Sequence, residues 1–438
     1  MIIKDQITPV RIIALQKAIQ AGTGLVTALL VTIYLSPEEQ GYFYTMGSLL
    51  SGYILLDLGL SNLLVQISAK HFTKLKWNRK REIIPNDANR LHFFSLVHQG
   101  LRWYLCMGVL TLTLIPIGFF YFTYAHPTST VNWQAPWILI VLCIALCMPS
   151  IGFMSILEGS HRIIEVYSLR IIHYFFGAFM AWLLLFSGNG LFALAMPPLA
   201  IFSLICFWMY KNYRHLFNEI AYAEKIFNWK QEVEILHKRV AVSWLGNYLF
   251  LHMPTPIIFY FLGPDKAGQF GLSITIANVV ASICTSKVAS IIPRYSHLVQ
   301  QQDFKNADDL FKKNFWASIK FSLVVIVFLT IFAYFAMSFF MLDRLLPWDE
   351  LFILLLALVS FHGANIMASY FRAYGKEPMK EINIYTSVIT LSCLGYLISE
   401  NFFLQAILLL LASSVALLGR SLYLAQPGFE LNSDQTDK

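Results

Sequence analysis

Charge is scarce in this chain: 13% of its 438 residues are charged and 57% are hydrophobic, and the mean hydropathy is +0.60. A soluble protein of this size could not cover its surface with so few polar groups. The sequence also lacks the alternating apolar and polar residues of a membrane β-barrel, since runs such as Phe321 to Met341 are apolar on every side. These absences predict an all-α integral membrane protein.

Signatures of several enzyme classes are missing as well. The chain has no His-Glu-x-x-His of a zinc protease, no Gly-x-x-x-x-Gly-Lys-Ser/Thr of an ATP-driven motor and no Gly-x-Ser-x-Gly. Its six cysteines lie in apolar runs and form no Cys-x-x-Cys pair, which is typical of small buried side chains. We therefore expect neither an enzyme nor a bound cofactor or metal.

What the chain does contain is a series of long apolar runs. About 20 apolar residues suffice to cross a bilayer core of about 30 Å as a helix. Twelve transmembrane helices are predicted: Arg11–Leu35, Gly41–Val65, Trp103–Tyr124, Trp137–Leu157, Val166–Phe186, Leu191–Tyr210, Val240–Leu262, Gly268–Ser290, Ile319–Leu342, Leu351–Tyr370, Ile382–Ser399 and Phe402–Tyr423.

The loops between these runs differ sharply in charge. Residues 66–102 carry eight Lys or Arg, and residues 211–239 carry six, whereas the loops on the opposite side hold only Lys266 and Arg344. Positive charge is retained in the cytoplasm, so a bacterial inner membrane protein with both termini cytoplasmic is predicted. Because the basic loops are tied to helix ends at a membrane, we expect no nucleic acid partner.

A short motif occurs twice. The segment Leu35-Ser-Pro-Glu-Glu-Gln-Gly-Tyr-Phe43 returns 227 residues later as Leu262-Gly-Pro-Asp-Lys-Ala-Gly-Gln-Phe270, each between two apolar runs. Six spans in each half make the repeats parallel, so two six-helix bundles related by a pseudo-twofold axis along the membrane normal are predicted. The expected parts are a first bundle (1–210), a linker (211–239), a second bundle (240–423) and a cytoplasmic tail (424–438).

Proline predicts a break in the seventh span. Pro254 and Pro256 lie near its middle, and proline removes a backbone donor and crowds the preceding turn. A kink there could be a gate or a packing feature, and the sequence leaves both open. His252, beside the kink, is a candidate proton carrier, although a packing histidine is the alternative.

Three charged residues are predicted to lie within the membrane. Ionisable side chains are costly there, so their presence usually indicates a functional role. Lys17 lies about 9 Å from the cytoplasmic end of its helix, while Asp57 and Lys287 lie about 24 and 28 Å from the outer ends of theirs. We hypothesise that Lys17 and Lys287 bind an anionic substrate and that Asp57 and Lys287 form a charge pair. The alternatives are snorkelling lysines and a locally capping aspartate.

Further charges stand near the cytoplasmic helix ends. Arg11 precedes the first span, and Glu158 and Arg162 follow the fourth. They are candidates for a substrate entrance that recognises a headgroup, with a plain helix-end cluster as the alternative.

Several motifs of this chain, taken together, resemble those of a known transporter family. Tyr34 to Phe43 with Leu56-Asp-Leu-Gly-Leu-Ser61, then Leu157-Glu-Gly-Ser-His-Arg162, Leu262 to Gly268 and Ile292-Pro-Arg294, resemble the polysaccharide transporter branch of the multidrug/oligosaccharidyl-lipid/polysaccharide exporter superfamily. These are the O-antigen, or Wzx-type, flippases. The resemblance covers nearly the whole chain in order.

The resemblance implies a flippase that moves an undecaprenyl-diphosphate-linked oligosaccharide from the inner to the outer leaflet by alternating access. It also implies coupling to a proton or sodium gradient, for which Asp57 is the carrier to test. The expected partners are the lipid-linked substrate, membrane lipids and other surface-polysaccharide assembly proteins. Two alternatives stay open: a multidrug or cation antiporter of the same superfamily, and a membrane-embedded glycan transferase.

Overall fold

The computed structural model describes residues 2–51, 57–85, 87–221, 226–340, 343–374 and 378–425. Within these residues the chain is helical apart from short connections and one small hairpin. Contacts divide the chain into two compact units, which we call the N-terminal unit (Met1–Tyr248 with Gly263–Gly268) and the C-terminal unit (Leu249–Leu262 with Gln269–Lys438). The segment predicted as a linker, residues 211–239, belongs to the N-terminal unit.

The N-terminal unit consists of helices around one extended core. Its main helices are α1 (Ile2–Tyr34), α2 (Pro37–Leu50), α3 (Leu60–His71), α4 (Ala88–Thr111), α5 (Leu114–Ala125), α6 (Gln134–Gly159), α7 (Ile163–Phe186), α8 (Met196–Ala200), α9 (Cys206–Ala221) and α10 (Ile235–His252). Helix α1 packs along α7, and α6 packs against α3 and α4. The core between α3, α4, α6 and α9 contains Leu64, Phe93, Tyr104, Phe153 and Tyr213.

The C-terminal unit has fewer and longer helices. They are α11 (Pro254–Leu262), α12 (Pro264–Gln300), α13 (Phe304–Phe340), α14 (Trp348–Ala373), α15 (Lys380–Ser399) and α16 (Phe403–Leu424). The first turn of α12, up to Gly268, belongs to the N-terminal unit. Helix α16 packs along α14 and against α15, which in turn contacts α11. Residues of α13 such as Val324 and Phe328 are more than 60% exposed, as expected of a surface that faces lipid.

Each of the twelve predicted spans coincides with one or more of these helices. Nine helical segments of the described chain are long and apolar enough to cross a membrane. The predicted fold class, an all-α membrane protein of two helical bundles, is thereby confirmed.

Proline and glycine interrupt several spans where the sequence places them. Helix α10 ends at His252 and α11 begins at Pro254, which confirms the predicted break in the seventh span. The sixth span is irregular, with a 3₁₀ turn (Gly190–Ala195) and a π-helical segment (Ile201–Ile205). A π-helical segment leaves the regular ladder of backbone hydrogen bonds and is often found at functional sites.

The repeated motif builds a tightly capped turn. Ser36 accepts a hydrogen bond from the backbone N–H of Glu39, whose carboxylate accepts from the N–H of Ser36 in return. This capping box satisfies two backbone donors at the start of α2 and lets Pro37 occupy the first helical position. In the second copy, Pro264 begins α12 in the same way.

A small hairpin lies between α3 and α4. Its strands β1 (Lys76–Trp77) and β2 (Ile83–Ile84) pair antiparallel. The indole N–H of Trp77 donates to the carbonyl oxygen of Ser160 at 2.8 Å, so the hairpin is fastened to the junction of α6 and α7. The basic loop is therefore ordered against the helix ends rather than extended into solvent.

Candidate functional site

Lys17 lies on the helix that packs along α7. Polar side chains of α1 face that partner: Gln16 is buried and donates to Gln20 at 3.1 Å, and Trp182 of α7 donates to Thr27 at 2.9 Å. Lys17 itself is exposed. It lies within electrostatic reach of Arg170 on α7 and Glu158 on α6.

Glu158 is the centre of one charged cluster, which we call the Glu158 cluster. Its carboxylate lies 2.8 Å from the guanidinium of Arg170 and accepts a hydrogen bond from Tyr167 at 3.0 Å. The guanidinium of Arg170 also stacks over the Tyr167 ring at 4.7 Å. Lys17 adds a second cation within electrostatic reach of this carboxylate, so the surroundings of Glu158 carry a net positive charge. Arg170 lies seven residues past the first residue of α7, about 10 Å along that helix.

A second cluster of the same composition surrounds Glu165, and we call it the Glu165 cluster. The carboxylate lies 2.8 Å from Arg81 and 3.7 Å from Arg162, and Tyr213 donates to it at 3.0 Å. The Tyr213 side chain is buried, and its hydroxyl is the donor in this hydrogen bond. Here too, two cations face one carboxylate.

Asp57 lies where the second span is broken. Leu58 and Gly59 have φ angles of 40° and 79°, which end one helical stretch before α3 begins at Leu60. The Asp57 carboxylate accepts from the Ser61 N–H at 3.2 Å, from the Ser61 hydroxyl at 2.9 Å and from the Tyr104 hydroxyl at 2.5 Å. This is the capping role that the sequence left open as an alternative, extended by a bond to another helix.

Two side chains of α10 lie against this helix break. The Nε2 atom of His237 lies 3.1 Å from the carbonyl oxygen of Asp57. A Cβ added to Gly59 would lie 2.4 Å from the indole nitrogen of Trp244, so only glycine fits here. Asp57 is therefore a half-buried residue at a helix break. Its carboxylate is held by polar groups of α3 and α4, and its backbone carbonyl oxygen lies against His237 of α10.

The remaining predicted site residues are placed as follows. Arg11 is exposed on α1, and His252 ends α10 at the proline break. Lys287 lies in α12, but its side chain is outside the described part of the structure, so its pairing with Asp57 stays a prediction. Lys17 lies within electrostatic reach of Glu158, and Arg162 lies 3.7 Å from Glu165.

Residues that sequence reasoning missed in the two clusters and at the Asp57 break include Arg170, Glu165, Arg81 and Tyr104. Arg170 could have been found from the sequence, because it is a cation four positions inside the predicted fifth span. Lys17 was selected by the same criterion, its distance from the end of a span. Glu165, Arg81 and Tyr104 had no such signal, since they lie at helix ends or in a loop, or are uncharged. Only the packing of distant segments reveals their partners.

Comparison with solved structures identifies the fold. The chain superimposes on an outward-facing multidrug resistance MATE family transporter of the MOP superfamily with a TM-score of 0.58 and 13% identity, covering 95% of this chain and 96% of that one. This chain has the MATE transporter fold. A MATE structure in complex with MaD5 gives a TM-score of 0.56, 12% identity and coverage of 95% of both chains.

A third similar structure differs in its description. It is a MOP superfamily transporter from Pyrococcus furiosus for which reverse polarity of the binding pocket suggests a different function, with a TM-score of 0.52, 11% identity and coverage of 95% of both chains. No protein-family model and no curated protein matches this sequence. Identities of 11–13% establish the shared fold alone.

The geometry defines what the clusters can do chemically. Each holds one carboxylate against two cations, and the spare positive charge lies near the predicted cytoplasmic ends of α6 and α7. Guanidinium and ammonium groups in this setting bind phosphate oxygens through charge-assisted hydrogen bonds. A metal-binding group of three or more His, Cys, Asp or Glu side chains is absent from the described residues.

Proposed function

We propose that this protein is a flippase of the MATE-like fold. Its substrate is an undecaprenyl-diphosphate-linked oligosaccharide, carried across the bacterial inner membrane by alternating access of the two bundles, with both chain termini cytoplasmic. The observation that supports this proposal most directly is the excess of cations in the Glu158 and Glu165 clusters, near the face where a lipid-linked diphosphate would enter.

The charge balance favours an anionic substrate over a cationic one. Bringing a diphosphate to membrane depth without a counter-charge costs several kcal/mol or more. Lys17 and Arg170 provide two positive charges against Glu158, whereas a cationic drug would meet net repulsion there. We assign Lys17 to diphosphate binding, with Arg170 as its neighbour, and Arg11, Arg162 and Glu158 to the entrance.

A multidrug exporter is the second candidate. The structures that share this fold include a transporter described as one of multidrug resistance, and the comparisons taken alone favour that function. The two candidates differ in the sign of the substrate charge, so a substitution that removes the charge of Lys17 distinguishes between them.

The test is replacement of Lys17 by Gln in the full-length protein. A hydrogen bond to a charged group contributes about 1.5–3 kcal/mol, so we expect the rate of flipping to fall about tenfold or more. Cells that depend on the variant should lose surface polysaccharide and accumulate the lipid-linked precursor on the inner leaflet. Lys313→Gln, an exposed lysine of α13, is the matched control and should behave as wild type.

Two results would contradict the proposal. Normal surface polysaccharide with Lys17→Gln at wild-type protein levels would remove Lys17 from the substrate path. A gene deletion without any polysaccharide phenotype, combined with raised tolerance to cationic drugs on overexpression, would establish the drug exporter instead.

A further inference from the structure

A second basic feature lies beside the Glu165 cluster and shares Arg81 and Arg162 with it, but its other cations, Arg79, Lys80 and Lys211, have no part in the transport proposal. The turn of the hairpin, the start of α7 and the middle of α9 line an open surface cavity of about 500 Å³, which we call the hairpin pocket. Its lining residues are Asn78, Arg79, Lys80, Arg81, Arg162, Lys211, Asn212 and His215.

The lining is positively charged without a carboxylate of its own. Five of its eight residues are Lys or Arg, and none is Asp or Glu. Arg81 and Arg162 pair with Glu165 to one side, whereas Arg79, Lys80 and Lys211 form no ion pair within the described residues. Like charges that line one pocket repel one another, so an anion in the pocket would relieve that repulsion.

The hairpin turn is held in shape by its own side chains. The Asn78 side-chain oxygen accepts from the backbone N–H of Lys80 at 2.9 Å and of Glu82 at 2.8 Å. The Asn78 amide nitrogen donates to the Glu82 carboxylate at 2.7 Å, which binds that carboxylate within the turn, and Glu82 is not among the lining residues. Arg79 and Lys80 are thus presented by an ordered turn and not by a free loop.

Two arginines of the pocket are held by neighbouring side chains, Arg81 by Asn212 and Arg162 by Trp77. Asn212 donates to the carbonyl oxygen of Trp208 at 2.8 Å, which turns its side-chain oxygen toward the Arg81 guanidinium, and Arg81 donates to it. Arg162 stacks over the Trp77 ring at 4.9 Å. The Nε of Arg162 is buried and has no hydrogen-bond partner within the described residues, so one donor of an oriented guanidinium is left over.

The surroundings of the pocket match the membrane surface. Lys211 directly follows the predicted end of the sixth span at Tyr210, and the pocket lies on the side that carries the basic loops. Aromatic and basic side chains gather at the level of lipid phosphates. An anion reaching this pocket therefore has access from the headgroup layer as well as from solution.

We propose that the hairpin pocket binds a phosphate or diphosphate group. Guanidinium groups suit phosphate because they offer several donors in a planar fork, and the lysines add point charges. The group can belong to a lipid headgroup or to a free phosphate compound, and the chemistry of recognition is shared. This goes beyond the proposed transport function, because the bound group need not be the transported one.

The test compares two triple variants of the full-length protein in detergent and in lipid nanodiscs. Arg79→Gln/Lys80→Gln/Lys211→Gln removes the unpaired charges and leaves both pairs of Glu165 intact. Lys305→Gln/Lys312→Gln/Lys313→Gln removes the same charge from α13 and is the control. Calorimetric titration with inorganic pyrophosphate measures the affinity for a free phosphate compound. The amount of phosphatidic acid retained by the purified protein, relative to phosphatidylcholine, measures binding of a lipid headgroup.

We expect the pocket variant to weaken binding about tenfold or more, because several charge-assisted hydrogen bonds are lost, and the control to stay within about twofold of wild type. Loss of pyrophosphate binding in the pocket variant alone supports recognition of a free phosphate compound. Loss of lipid retention alone supports a headgroup. Equal binding by wild type and pocket variant for both probes, or equal losses in the two variants, would overturn the proposal.

Discussion

The backbones of Gly41 and Gly268 are in contact. They occupy the same position in the two copies of the repeated motif, and a Cβ added to Gly268 would lie 2.9 Å from the backbone nitrogen of Gly41. The neighbouring Gln40 side chain donates to the carbonyl oxygen of Gly268 at 3.0 Å. Two segments 227 residues apart in sequence therefore meet at equivalent residues.

This contact predicts that Gly41→Ala destabilises the protein. The added Cβ would lie 2.0 Å from the carbonyl oxygen of Pro264, and a backbone atom cannot move aside as a flexible side chain does. We expect a loss of about 3 kcal/mol, the upper range for overpacking, seen as a lower unfolding temperature in detergent.

Gly47→Ala in the same helix is the matched control. A Cβ there meets no described atom within 4 Å, and alanine favours a helix interior over glycine by about 0.5–1 kcal/mol. The control should unfold at or above the wild-type temperature. Equal unfolding temperatures of the two variants would mean that the close contact at Gly41 does not contribute to the stability of the protein.

Asp57 is expected to matter for coupling more than for folding. In Asp57→Asn an oxygen remains to accept from Ser61 and Tyr104, but the carboxylate that could exchange a proton or sodium ion is gone. Transport driven by an imposed proton or sodium gradient should fall about tenfold or more in proteoliposomes, as for loss of a functional proton-transfer group.

Asp87→Asn provides the comparison for Asp57. Asp87 also accepts from backbone N–H groups at a helix start, those of Asn89 and Arg90 at the start of α4, and asparagine is an equally good cap. This variant should transport normally. An Asp57→Asn variant with a wild-type response to both gradients would reduce Asp57 to a structural cap.

Glu232 should make stability depend on pH. Burial opposes its ionisation, but hydrogen bonds from His71 and Lys70 outweigh burial and lower the pKa of this carboxyl below its usual 4.5; the distances are 2.7 and 3.2 Å. Because the folded pKa is lowered, the stabilisation is present above pH 4.5 and is lost as the pH falls through the lowered value.

Glu232→Gln should therefore lower stability by up to about 1 kcal/mol at neutral pH, a value limited by partial exposure of the pair. The difference from wild type should vanish in acid, which unfolding curves at a series of pH values would reveal. Glu234→Gln is the control, because Glu234 pairs with Lys238 within its own segment at 2.8 Å, and its effect should be smaller. A pH-independent deficit in Glu232→Gln would contradict the linkage.

Much of the fold follows from local chemistry. Long apolar runs can satisfy their backbone groups in a bilayer only as helices, so the twelve spans coincide with described helices. The break between His252 and Pro254 follows from proline itself. The capped turn at Ser36 follows from the spacing of Ser, Pro and Glu.

The candidate site follows from the sequence only in part. Depth along a helix singled out Lys17, because a cation far from a helix end stands out whatever its neighbours are. The partner of a charge is a different matter: Arg81 and Glu165 lie in separate loops and helices, and only folding brings their side chains to 2.8 Å. The role of Asp57 likewise depended on Tyr104, an uncharged residue of another helix.

By itself, the sequence determined that this chain is a helical membrane protein, where its helices run and which turn is used twice. Those properties arise from each segment's own interaction with lipid, water and its backbone. The tertiary structure alone decided which charges share a carboxylate, that Gly41 touches Gly268 and that three separate segments line the hairpin pocket. Such contacts join residues distant in sequence, and their energies depend on distances that exist only once the chain has packed.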